Sequence, residues 1–371
     1  MIHVVRAGDT LGDIAVWYNT TVEELQYLNQ IPNSNVLIPG QALLIPQKEP
    51  EGPFTIQVNG YAYPFISPWV LDETLPHLNL LSVFTYGFTE DGMLLPPPLN
   101  DGWMIDRAQD HDVGAALVLA PMDLEGRFSN VLLSRLLENE AAQERLLEEL
   151  LQTMERKHFR ELNIDFEFVP AENRQDLTKF VRLAGERLPW PVSVCLAPKT
   201  SRTQRGLLYE GKDYAALGEA ADRLLLMTYE WGYKYGPPLA VAPIDQVRRV
   251  VEYAVTEIPP EKLSLGLANY GYDWPLPYIR EHTVARTIGS IEALSIARRQ
   301  GAEILFSTSA QSPWFRYRRD GILHEVWFED VRSWQKKFDL VQEFGLGGIG
   351  IWTVMNLNRP GLYLIREDFG T

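Results

Sequence analysis

Polar residues occupy alternate positions in one apolar run, Glu161-Leu162-Asn163-Ile164-Asp165-Phe166-Glu167-Phe168-Val169-Pro170. Strand side chains alternate between two faces, so Asn163, Asp165 and Glu167 share one face and Leu162, Ile164, Phe166 and Phe168 the other. Two strand steps put the β-carbons of Asp165 and Glu167 about 6.5–7 Å apart. Two carboxylates in a partly dry site resist double ionisation, so one of them holds its proton above the usual range. Glu167 lies nearest the end of the run and is the natural proton holder, hence a candidate general acid. A frayed strand end with both carboxylates in water fits the same alternation.

Such a strand needs neighbours. Apolar runs at Phe54–Tyr61, Leu80–Phe88, Ala115–Leu119, Leu162–Phe168, Val192–Ala197, Leu224–Tyr229, Leu263–Tyr270 and Gly348–Val354 alternate with helical stretches such as 134–157 and 174–187. Eight strand–helix units predict an α/β fold, a (β/α)8 TIM barrel over residues 54–371. Continuous apolar strands suit a parallel sheet covered by helices. The interior of such a barrel is normally filled by bulky apolar side chains. Two carboxylates and an amide there are costly unless they are hydrogen bonded or do chemistry. The chain between Tyr270 and Gly348 is too long for one crossover. A helix at 288–300, strands at 303–307, 315–318 and 324–328, and an Asp320-Gly321 turn predict a small α+β insertion between strands 7 and 8, at about 272–330. Insertions at that end of a barrel wall the groove, so Asn269, Tyr270 and Asp273, just past the seventh run, are candidates to line it.

Residues 1–47 read as a separate βααβ unit, joined by a Pro/Gly linker at 48–53. Thr10 can cap a helix with Leu11, Ile14, Ala15 and Tyr18 on one face, and Thr20 or Thr21 a second with Val22, Leu25 and Leu28. A unit this small has a small core and suits binding better than catalysis.

Composition removes other classes. The 371 residues carry 34 Lys+Arg against 49 Asp+Glu, a net charge of −15, and no basic run, which leaves no footprint for nucleic acid. The one cysteine, Cys195, excludes an intrachain disulfide framework and a Cys-rich zinc site. No apolar stretch is long enough to span a membrane, and Met1–Asp13 lacks the pattern of a secretory signal peptide. The chain is expected to be a monomer.

The small unit resembles a LysM module, a carbohydrate-binding repeat of cell-wall proteins. The resemblance lies in Val4-Val5-Arg6-Ala7-Gly8-Asp9-Thr10-Leu11, Asn29 and Ile38-Pro39-Gly40-Gln41-Ala42-Leu43-Leu44-Ile45-Pro46. It implies that an N-acetylglucosamine polymer lies between Gly8, Asp9, Thr10 and Leu11 on one loop and Asn35 to Pro39, Ile38 included, on another.

The fourth run resembles the D-x-x-D-x-D-x-E motif of glycoside hydrolase family 18, with Glu167 as the final acid, Asp165 two before it, and Asn163 and Arg160 in place of the earlier aspartates. Met227-Thr228-Tyr229-Glu230-Trp231 and Gly348-Ile349-Gly350-Ile351-Trp352 resemble the sixth- and eighth-strand segments of that family, while Leu119-Ala120-Pro121-Met122 departs from its third-strand pattern. The resemblance implies a retaining, substrate-assisted glycosidase needing neither metal nor cofactor. Glu167 would be the acid, Asp165 would orient the 2-acetamido group, Tyr229 would bond its oxygen and Trp352 would floor the sugar. Asn163 replaces a charge, and Glu230 and Trp231 are further candidates for substrate contact.

The pairing of LysM with Asn-Ile-Asp-Phe-Glu is similar to the bacterial spore-cortex-lytic N-acetylglucosaminidases. That implies peptidoglycan as partner and a place on the spore or cell wall. A cortex glycan with part of its muramic acid as neutral lactam reconciles the polymer with the charge of −15. A chitinase of the same mechanism and a non-catalytic sugar binder are the alternatives.

Overall fold

The structure, a computed structural model, describes residues 1–32, 36–47 and 55–370. The expected linker at 48–53 and Asn35 lie outside the described residues. Strands β1 (Ile2–Val4) and β2 (Ala42–Leu44) pair antiparallel around helices Leu11–Tyr18 and Val22–Leu28. The Thr10 hydroxyl accepts from Asp13 N, and Thr21 and Glu24 form a reciprocal capping box, so both helices start where their hydroxyls satisfy free N–H groups. Val5, Leu11, Ile14, Leu25, Leu43 and Ile45 fill the core of this unit.

The chain continues through β3 (Gln57–Ala62), β4 (Leu80–Phe88), the short β5 (Leu94–Leu95), β6 (Gly114–Leu119), β7 (Glu161–Ile164), β8 (Val192–Leu196), β9 (Arg223–Leu226) and β10 (Leu263–Ala268). An insertion follows, built from β11 (Gly271–Leu276), β12 (Arg286–Ile288), helix Ser290–Gln300, β13 (Leu305–Ser307), β14 (Ser312–Arg319) and β15 (Ile322–Trp327). Its strands form one antiparallel sheet in the order β12-β11-β15-β14-β13. The Asp320-Gly321 turn has positive φ at both residues (52° and 81°), as a tight hairpin with this right-handed twist requires. Then β16 (Gly348–Trp352) returns to the barrel, and β3 pairs with both β16 and β4, closing eight parallel strands.

Alternation sorts the strand residues as the pattern predicts. Leu162, Ile164, Leu265 and Ile351 join the outer core under the helices, while Tyr61, Val118, Cys195 and Leu225 meet inside the barrel. Phe168 is an exception. With a φ of 51° and 44% exposure it leaves the apolar face, because β7 ends at Ile164 and the chain turns outward after Glu167. The stretch 134–157 is two helices, Asn130–Leu137 and Glu140–Lys157, since Asn139 Oδ1 accepts from Ala142 N and starts the second.

The small unit is docked on the barrel. Leu28 and Leu44 join the barrel's outer core, and Ile38 is 4% exposed within the insertion's core beside Ile288, Ile304 and Phe328. Arg359 donates from its backbone to Gln30 Oε1 (2.7 Å) and from its guanidinium to Tyr27 O (2.8 Å), while Arg332 donates to Gly40 O (3.0 Å). Ile304 N donates to Pro39 O at 2.9 Å. Gly40 has a φ of +83°, and a Cβ there would meet Ile304 O at 1.8 Å, so this approach requires glycine.

Candidate active site

Beyond β7, Asp165 keeps its place in the barrel because its N–H donates to Leu119 O at 2.8 Å, although the paired strand has ended. Asp165 is 6% exposed, and its Oδ1 has no hydrogen-bond partner among the described residues. Glu167 follows on the same face, half-buried at the mouth. Both border a cavity of about 310 Å³ at the C-terminal ends of the strands, shared with Tyr229, Glu230, Trp231 and Trp352.

Burial raises the Asp165 carboxyl to about 6, held down in part by the Lys212 ammonium. Burial first, and then the charge of Asp165, raise Glu167 to about 8. The pair therefore reaches a state with one proton, carried by Glu167. Tyr229 is raised well above the ordinary phenol range by burial, so its hydroxyl stays neutral and able to donate. A Cβ at Gly266 would stand 2.9 Å from Tyr229 Cε1, so the missing side chain on β10 makes room for this ring.

Trp352 lies against an aromatic wall. Its ring is 4.9 Å from Phe84, 5.8 Å from Tyr61 and 6.1 Å from Tyr63 by centroid. Glu230 opens to solvent, yet its Oε1 accepts from the hydroxyls of Tyr270 and Tyr272, which fix its direction despite a φ of 71°. Burial raises it and these two hydrogen bonds lower it. Asn163 does not reach the cavity wall. Its Oδ1 accepts from Tyr61 OH (3.2 Å) and Cys195 Sγ (3.4 Å), and its Nδ2 donates to Ser193 Oγ (2.8 Å), so both ends of the amide are engaged below Asp165.

Two expected groove residues are committed elsewhere. Asn269 is 4% exposed and brackets the last barrel loop, donating to Thr353 O and Asn356 O and accepting from Asn358 Nδ2. Asp273, on β11, faces into the insertion, where Tyr317 OH (2.7 Å) and His324 Nδ1 (2.8 Å) occupy its two oxygens. In the small unit, Gly8 and Thr10 are exposed, and Asp9 Oδ2 accepts from Arg6 N at 2.8 Å while lying 3.0 Å from His3 Nε2. Leu11 is core at 2% exposure and Ile38 is covered by the insertion, while Val36 on the expected second loop is exposed.

The cavity also takes Tyr63, Phe84, Phe128, Pro198, Tyr209 and Met227, none of them expected. Tyr63, Pro198 and Met227 stand within two residues of the ends of β3, β8 and β9, where barrel enzymes gather their functional groups, and that rule could have found them. Phe128 and Tyr209 come from loops with no periodic signal. Together the site offers a protonated carboxyl, an ionised carboxylate and a neutral phenol over an aromatic floor. Such a set can deliver a proton to a leaving oxygen and steady a positive charge beside it.

Residues 125–356 match the glycosyl hydrolases family 18, and residues 3–46 match the LysM domain. The chain is 40% identical to a cortical fragment-lytic enzyme of Bacillus subtilis (strain 168), over 99% of this chain and 97% of that protein. The crystal structure of the Bacillus cereus spore cortex-lytic enzyme SleL superposes with a TM-score of 0.82 at 33% identity, over 99% of this chain and 86% of that one. The corresponding enzyme of Bacillus megaterium QM B1551 gives 0.80 at 36% identity, with the same coverage.

Proposed function

Because the chain belongs to the glycosyl hydrolases family 18 and is a glycosidase, we propose that it cleaves N-acetylglucosaminyl linkages of cortex-type peptidoglycan by a retaining, substrate-assisted route. The observation that carries this reading is a buried carboxylate with an unused oxygen, Asp165 Oδ1, coupled to a more basic carboxyl, Glu167. A buried acceptor without a donor costs free energy until something supplies one. The 2-acetamido N–H of the sugar is such a donor once the Asp165 carboxylate turns its buried Oδ1 toward the cavity.

Glu167 gives its proton to the glycosidic oxygen as the bond from that oxygen to the anomeric carbon breaks. The acetamido oxygen forms the new bond to that carbon, giving an oxazolinium ion. Asp165 takes the acetamido N–H and steadies the positive charge, Tyr229 donates to the acetamido oxygen, and the sugar lies on Trp352. Glu167, now a carboxylate, takes a proton from water as the water oxygen attacks the anomeric carbon. The acetamido group is released, the configuration is retained and Glu167 is reprotonated. Glu230 and Trp231 flank the entering chain.

We divide the chain into a LysM unit, residues 1–47, and the barrel from 54 onward. The exposure of Gly8 and Thr10 supports a glycan strand on that side of the unit. The likeness to cortical and cortex-lytic enzymes supports a place at the spore cortex or cell wall. The test is Glu167→Gln on isolated cortex fragments: release of reducing ends is expected to fall by about 10³-fold, and release near the unaltered rate would refute the assignment. Faster turnover of chitin oligomers than of cortex fragments by the unaltered protein would favour a chitinase. Binding without turnover on either would favour a sugar-binding protein.

A further inference from the structure

One buried cation stands behind the carboxyl pair and has no part in the chemistry above. Lys212 is 1% exposed and lies in the loop before helix Tyr214–Ala220. The preceding Gly211 touches the acid-bearing segment: a Cβ there would meet Val169 O at 2.2 Å, two residues beyond Glu167. From this anchor Lys212 Nζ donates to Cys195 O at 3.0 Å. Lys199, also 1% exposed, donates to Lys212 O at 2.9 Å and holds the loop from its other side.

Strand register places the ammonium. β7 pairs Asn163 with Ser193 and Ile164 with Val194, so Cys195 is level with Asp165. Pro191 O accepts from Leu162 N on the β7 side, and Leu196 O accepts from Met227 N on the β9 side. Carbonyls alternate along a strand, so Cys195 O faces β7. The β7 ladder has ended by then, and the lysine takes this acceptor at the level of Asp165.

A buried ammonium is costly unless an opposite charge compensates it. Asp165 and Glu167 do so: Lys212 lowers both carboxyls, and they in turn support its protonated form against burial. The other titratable groups around the pair are Cys195 on β8, Tyr61 and Tyr63 at β3, and Tyr229 and Glu230 past β9. All are neutral or anionic, so Lys212 is the cation facing the pair among the described residues. Asn163, held at both ends of its amide, brings no charge.

We propose that Lys212 is a positioning residue for the hydrolysis, its buried charge keeping Asp165 ionised beside a protonated Glu167. This rests on the roles given above to those two residues. Removing a positive charge raises both carboxyls, so both limbs of the kcat/KM profile should move to higher pH. The experiment measures that profile on cortex fragments for Lys212→Met, Lys212→Gln and Lys212→Arg. Met and Gln are expected to move both limbs upward by about one unit or more, and Arg to leave them in place. Limbs that stay put in both neutral variants, whatever the loss of rate, would overturn the proposal. So would a shift in Met alone, since Gln still reaches the Cys195 carbonyl. If Lys212→Met does not fold, the contrast of Gln with Arg decides. Failure of the catalytic reading itself registers separately, as activity retained by Glu167→Gln.

Discussion

The two ends of one barrel strand carry buried acids of opposite character. At the N-terminal end Glu161 is 3% exposed, and its Oε2 accepts from Arg223 Nη1 at 2.8 Å and from Gln57 Nε2 at 3.3 Å. At the C-terminal end Asp165 is buried to a similar degree, with one oxygen unpartnered and a second acid beside it. Burial raises all three carboxyls, so desolvation does not distinguish the ends. What distinguishes them is satisfaction. A buried acid with its donors in place is structure, and one waiting for a donor at the rim of a cavity is chemistry.

The largest expected effect is at the open end. Glu167→Gln should cost about 10³-fold in kcat, the scale of a lost general acid. Asp165→Asn should cost about 10²-fold or more, because the amide neither carries the balancing charge nor leaves the acetamido group a pure acceptor. Glu161→Gln is the control at the closed end. It leaves two donors facing one acceptor, and with Arg223 partly in water the expected cost is about 1–2 kcal/mol of stability, read as a lower urea midpoint, with kcat essentially kept. If Glu161→Gln loses as much kcat as Asp165→Asn, the contrast between the ends collapses.

Titration sharpens the comparison. Activity needs Asp165 ionised and Glu167 protonated. With these raised to about 6 and about 8, kcat/KM should climb with pH through the first value and fall through the second. Glu230 raises Glu167 as a like charge. Glu230→Gln should therefore move the alkaline limb to lower pH by less than one unit and leave the acid limb where it is. A profile flat across this range would count against the pairing of roles.

Legibility followed range. Alternation over 161–167 put Asp165 and Glu167 on one face, and the eight runs located every barrel strand, β4 to the residue. Local chemistry also marked the Asp320-Gly321 turn and the Thr10 cap. What stayed hidden depends on partners far along the chain. Asn269 reads as a groove residue until Thr353 and Asn358 claim its amide, and Asp273 until Tyr317 and His324 claim its carboxylate. Ile38 belongs to the signature of a binding loop, yet its side chain completes the core of an insertion that begins only at Gly271. Lys212 lies in a loop without periodicity, and nothing short of strand register places it level with Asp165.

The smallest expected effect lies midway between the two ends, at Asn163. The new carboxyl of Asn163→Asp can keep Tyr61 OH and the Cys195 thiol as donors on one oxygen. Its other oxygen meets Ser193 Oγ, whose hydroxyl lies 3.5 Å from Leu162 O and also serves Glu161. Two donors, the Tyr61 hydroxyl and the Cys195 thiol, therefore receive the charge, and the fold should tolerate it. A negative charge one strand-face position below Asp165 disfavours a second one there, so Asp165 binds its proton more tightly. The acid limb of kcat/KM should rise by less than one unit while kcat at the optimum stays within about twofold, because position 163 touches no reacting atom. The direction matches that expected for neutralising Lys212, since adding an anion and removing a cation act alike on the pair. A loss of kcat on the scale of Asp165→Asn would instead move the boundary between structural and chemical acids one step deeper into the barrel.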